Sequence, residues 1–70
     1  MSESCAIIID MLIEQRQSKG MTQKELAKAS NLTQSVIARL ESKKITPRLD
    51  TLLKIASALG CNIDVVPTAK

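Results

Sequence analysis

The stretch Thr22–Glu41, TQKELAKASNLTQSVIARLE, constrains this chain more than any other, because it spells out two short helices with a fixed turn between them. Thr22 can cap a helix through its hydroxyl, and Glu25 three residues later completes a Thr-x-x-Glu capping box, so a helix starts here. Leu26 and Ala27 give that helix an apolar edge. The pattern breaks at Ser30-Asn31, where Asn tolerates the left-handed backbone that ends a helix. Leu32 follows as an apolar plug, and Thr33 is a second N-cap that opens a helix of about residues 33–42. Val36, Ile37 and Leu40 lie three and four residues apart in it and form the stripe expected to be buried. Gln34, Ser35, Ala38 and Arg39 are left facing outward.

The flanking segments extend the helical pattern. A first helix is expected over about Glu3 to Lys19, with Ile8, Leu12, Ile9 and Ile13 inward and Gly20 as its stop. After a loop at Lys43–Pro47, a further helix is expected over about Arg48 to Leu59. Leu49, Leu52, Leu53, Ala56 and Leu59 should face inward, and Gly60 should end it. In the tail, residues 61–70, the β-branched Ile63, Val65 and Val66 precede Pro67, so a short strand competes with a fifth helix. The expected fold is all-α, one domain over residues 1–70 built as a small bundle of four to five helices, with the C-terminal strand as the alternative ending. Seventy residues bury only a modest core. With no aromatic residue that core must be Leu, Ile, Val, Met and Ala.

Charge is unevenly divided. From Arg16 to Arg48 there are eight bases (Arg16, Lys19, Lys24, Lys28, Arg39, Lys43, Lys44, Arg48) against Glu25 and Glu41, whereas residues 1–15 carry Glu3, Asp10 and Glu14 and no base. Positive charge concentrated on the two-helix motif points to a phosphate backbone. The lack of aromatic side chains leaves nothing for stacking on unpaired bases, which favours duplex DNA over single strands or RNA. Gln34, Ser35 and Arg39 are the candidate base contacts: Gln suits the N6/N7 edge of adenine, and Arg suits guanine or a phosphate. Thr22, Gln23 and Thr33, at helix N-termini, and the loop bases Lys43, Lys44 and Arg48 are the candidate contacts to the DNA backbone.

Other chemistries find little support. The chain has no His, which removes histidine-based nucleophilic and acid–base catalysis. Cys5 and Cys61 lack zinc-ligand spacing and read as reduced, small hydrophobes. Two glycines cannot build a glycine-rich phosphate loop. No enzyme activity, metal or cofactor is expected. Neither a membrane span nor a basic leader ahead of an apolar run is visible, and the chain is read as cytoplasmic.

These residues resemble those of the XRE-type helix-turn-helix family of phage-repressor and Cro-like proteins. Gln23 stands at the usual first Gln of the motif, Ala27 where the two helices touch, Leu32, Ile37 and Leu40 at the apolar core positions, and Glu41 at the acidic close of the recognition helix. Gly20-Met21-Thr22-Gln23 and the segment Pro47 to Gly60 extend the likeness to about residues 6–60. Asn31 departs from the usual Gly, and Ser30 stands where an aliphatic residue is common. The resemblance implies a bundle of the phage-repressor DNA-binding type, a structural ion pair between Arg16 and Glu41, and a sequence-specific transcriptional regulator of double-stranded DNA, a repressor acting as a homodimer. Two alternatives within the resemblance are an antitoxin-type module that binds a toxin partner and regulates itself, and a restriction–modification controller protein.

Overall fold

The computed structural model describes residues 1–68; the last two positions of the 61–70 tail lie outside the described residues. Among the described residues four helices follow one another: α1 Glu3–Ser18, α2 Gln23–Ala29, α3 Gln34–Glu41 and α4 Leu49–Ala58. Each expected helix is present, with ends within a residue or two of the sequence expectation. No helix among the described residues is long and apolar enough to cross a membrane.

Local chemistry explains where the helices begin. The Ser2 hydroxyl accepts from the Cys5 N–H at 3.2 Å and caps α1. The Thr22–Glu25 capping box is complete: Thr22 Oγ1 accepts from the Glu25 N–H at 3.1 Å, and Glu25 Oε1 accepts from the Thr22 N–H at 2.8 Å. Thr33 Oγ1 accepts from the Val36 N–H at 3.2 Å to open α3.

All four helices end in the same way, with a residue in the left-handed region just past the cap and a back-bond closing the last turn. Gly20 and Gly60 occupy two of these positions at φ +66° and +71°, and Asn31 takes the third at φ +58°. The Leu32 N–H donates to the Ala27 carbonyl at 2.8 Å, which fixes the turn between α2 and α3. The fourth is Lys43, at φ +62° after α3, a position the sequence did not mark because Lys has no preference for that backbone.

The core is aliphatic: Ile9, Leu12, Leu26, Ala27, Ile37, Leu40, Leu52, Ile55, Ala56 and Leu59. Three expectations shift. On α4, Leu49 and Leu53 are 65% and 45% exposed, and Ile55 is buried in their stead. The buried set 52, 55, 56 and 59 is one complete helical face; Leu49 and Leu53 form a neighbouring, more exposed stripe. On α1, Ile9 and Leu12 are buried, while Ile8 and Ile13 are half-buried at the margin, as is Val36 on α3. Residues 61–68 form neither strand nor fifth helix. Cys61 and Ile63 still pack against the core, whereas Val65 and Val66 are 92% and 75% exposed. No other strand is present among the described residues to pair with this segment.

Ser30 is buried with its hydroxyl satisfied. Its hydroxyl donates back into its own helix, to the Leu26 carbonyl at 2.7 Å.

Candidate nucleic-acid interface

α3 is held from behind and open in front. Ile37 and Leu40 sit in the core, and Gln34, Ser35 and Arg39 are exposed on the opposite side of the same helix. The turn at Asn31 and the two capped N-termini fix α3 against α2, so the outward side chains stand on rigid backbone rather than on a loop.

A polar lock at the C-terminal end of α3 adds to this. The Arg16 guanidinium grips Glu41 through two bonds, Nε to Oε2 at 2.7 Å and Nη2 to Oε1 at 3.0 Å. Its remaining terminal nitrogen donates to the Met21 carbonyl at 2.6 Å. Both side chains retain little exposure, 13% and 10%. The pair implied by the family resemblance is therefore formed, and it ties α1, the α1–α2 turn and the end of α3 together. Gln23, expected at the DNA backbone, donates from Nε2 to Glu41 Oε1 at 3.1 Å and so belongs partly to this lock.

The basic side chains differ in their freedom. Lys43 Nζ lies 2.6 Å from Asp10 Oδ1 on α1, and Arg48 Nε lies 3.3 Å from Asp50 Oδ1. Both are solvent-facing pairs of the kind that contributes little to stability and exchanges readily for another anion. Lys44 makes no ion pair among the described residues and is exposed, as are Thr22 and Thr33. Sequence reasoning missed Asp10. The only available signal was its sign, since nothing local connects α1 with a loop more than thirty residues away.

Glu25 takes part in the α2 cap as an acid. The Thr22 N–H, and then the Thr22 hydroxyl, hold its carboxyl below the ordinary range. That chemistry belongs to the cap. No group of His, Cys, Asp and Glu among the described residues is arranged to hold a metal ion, and Cys5 and Cys61 are both free thiols.

The chain is similar to known proteins. A helix-turn-helix family model matches residues 12–66. An HTH-type transcriptional regulator of Haemophilus influenzae, itself uncharacterized, is 42% identical over 60 residues, covering 86% of this chain and 61% of that protein. The immunity repressor protein of Bacillus phage phi105 is 35% identical over 51 residues, 73% of this chain and 35% of the repressor. The chain thus spans less than two thirds of the length of these relatives. Among solved structures, a chain of a toxin–antitoxin module from Streptococcus pneumoniae superposes with a TM-score of 0.78 at 43% identity, covering 96% of this chain and 74% of that one. The capped helix pair, the Asn31 turn and the match over most of its length make this chain a member of the XRE-type, phage-repressor and Cro-like family of helix-turn-helix DNA-binding domains.

Proposed function

We propose that the chain is a sequence-specific double-stranded DNA-binding regulator of transcription. It acts in the cytoplasm as a homodimeric repressor that occupies an operator, and it has no catalytic role. The observation that carries this reading is the exposed polar side of α3, Gln34, Ser35 and Arg39, on a helix anchored by Ile37, Leu40 and the Arg16–Glu41 pair. Laid in the major groove, Gln34 and Arg39 meet base edges while Ser35 adds a shorter polar contact. Thr22, Gln23 and Thr33 present helix N-termini to phosphates, and Lys43, Lys44 and Arg48 flank the site as backbone contacts. One short recognition helix reads few base pairs, so two copies on a palindromic site supply the affinity a repressor needs.

Fluorescence anisotropy on duplexes chosen by selection tests the assignment. Affinity should fall steeply with salt, because bound Lys and Arg displace condensed counterions. Gln34→Ala should weaken cognate binding by about 1–3 kcal/mol and leave non-specific binding nearly intact. Lys44→Ala should weaken both and flatten the salt slope. Unchanged cognate preference in Gln34→Ala would move the reading face elsewhere, and no binding to any duplex at low salt would remove the function altogether.

The superposition on a toxin–antitoxin module favours a second reading, an antitoxin that binds a toxin partner and regulates its own promoter. Co-expression with the product of the neighbouring gene, followed by co-purification and a growth assay, separates the two.

A further inference from the structure

The outer face of α1 carries a surface that DNA binding does not use. Glu3, Ile7, Met11 and Glu14 recur at three- and four-residue spacing, and all four are exposed, Ile7 at 51% and Met11 at 61%. Beside this stripe a groove of about 480 Å³ opens between α1 and the segment after α4. Ile8, Met11, Leu12 and Ile63 line its apolar part, and Glu14 and Asp64 line it as acids. Residues 1–15 contain no Lys or Arg. The first base along α1, Arg16, is already bound to Glu41 and the Met21 carbonyl. Lys43 reaches α1 at Asp10 and offsets that acid, while Glu3, Glu14 and Asp64 remain at the border; an exposed apolar patch rimmed by such charges has the form of a protein-docking surface.

The sign of the border selects the occupant. Phosphates are repelled. A second copy meeting the groove through a two-fold axis would set Glu14 and Asp64 beside the same acids of its partner, which like-charge repulsion disfavours. We infer that the groove between α1 and residues 61–64 docks an amphipathic segment of a second, basic protein. Apolar side chains at helical spacing seat on Ile8, Met11 and Ile63, and flanking Lys or Arg face Glu3, Glu14 and Asp64. This surface is separate from the exposed side of α3, so the inference does not depend on the DNA reading.

Amide chemical shifts of the isotope-labelled full chain test it, with a synthetic helical peptide carrying a leucine pair at i, i+4 flanked by lysines as the probe. Saturable shifts should appear at residues 7–15 and 61–64, and a control peptide with glutamate for lysine should produce none. Glu14→Lys/Asp64→Lys should weaken the lysine peptide about ten-fold or more. Met11→Glu should weaken it as well, and because these positions are exposed the remaining amide spectrum should stay in place as proof of folding. The inference is overturned if the glutamate peptide binds equally, if the shifts centre on α3, or if no saturable shift appears in the groove. Sedimentation equilibrium without peptide supplies a further test: a dimer that Met11→Glu dissolves would assign the groove to a second copy and overturn the inference.

Discussion

At the scale of single residues, the Arg16–Glu41 pair shows why a charged contact can be essential without being a large net source of stability. Its two bonds are close to ideal, yet both groups lost most of their hydration to make them. Removing one partner strands the other. Arg16→Met should cost about 3 kcal/mol, because it leaves Glu41 without its counter-charge and the Met21 carbonyl without its donor. In a domain of this size that lowers Tm by roughly 10 °C or more. The Arg16→Met/Glu41→Leu double variant should recover part of the loss, and thermal melts of the full cycle measure the coupling; additive losses would show that the pair has none. Asn31 offers a second residue-scale test. At φ +58° a β-carbon is strained unless the side chain favours that backbone, so Asn31→Ala should destabilise by about 1 kcal/mol while Asn31→Gly should be close to neutral. Equal melting of the two variants would mean that the turn does not hold its left-handed backbone in solution.

At the scale of elements, what could be read in advance was what is local. The Thr22–Glu25 box, the Thr33 cap, the Asn31 turn and the glycine stops each depend on residues within five positions of one another, and each occurs where the sequence indicated. Glu25 also gives this element a pH signature. Its native pKa is lowered, by the Thr22 N–H first and the Thr22 hydroxyl second, so its contribution is complete above the ordinary value of 4.5 and is lost as pH falls below that value through the native pKa. Wild type should therefore melt higher than Glu25→Gln near neutral pH, and the gap should close in acid as protonation makes Glu25 resemble Gln; a gap that persists unchanged at low pH would deny the cap its charge. Features set by tertiary packing were not legible in the same way. α4 offers apolar residues over more than one face, and only its neighbours decide that Ile55 goes inside and Leu49 and Leu53 stay out. The candidate contacts Gln34, Ser35 and Arg39 were readable because a single amphipathic helix separates them from Ile37 and Leu40. That Gln23 is shared with Glu41 follows from the packing of α2 against α3, and that Lys43 is shared with Asp10 from the placing of α1 beside the end of α3, which no spacing rule encodes.

At the scale of the whole molecule, the proposed dimer has two apolar surfaces to draw on besides the acid-bordered groove of α1, and they make different predictions. One is the end of the tail, where Val65 and Val66 are 92% and 75% exposed, beyond the anchoring contacts of Cys61 and Ile63. The other is the Leu49–Leu53 stripe of α4. Among the described residues the tail beyond Cys61 makes no backbone–backbone hydrogen bond, and only the Val65 N–H is met locally, by Asp64 Oδ1 at 2.8 Å; pairing antiparallel about a two-fold axis with the same β-branched segment of a second copy would satisfy the remaining groups. The α4 stripe offers area but no such unmet hydrogen bonds, which favours the tail as the seam. Two recognition helices joined this way must come to lie about 34 Å apart, one turn of the duplex, for both to read the same face. Val65→Lys/Val66→Lys should leave the fold untouched, since neither side chain packs against the core. It should reduce the mass seen by sedimentation equilibrium to that of a monomer and cost most of the operator affinity, while Leu53→Glu should leave the dimer in place. The opposite outcome, a dimer dissolved by Leu53→Glu and indifferent to lysine at 65 and 66, would transfer the seam to α4 and leave the tail as a strap over the core ending in exposed valines.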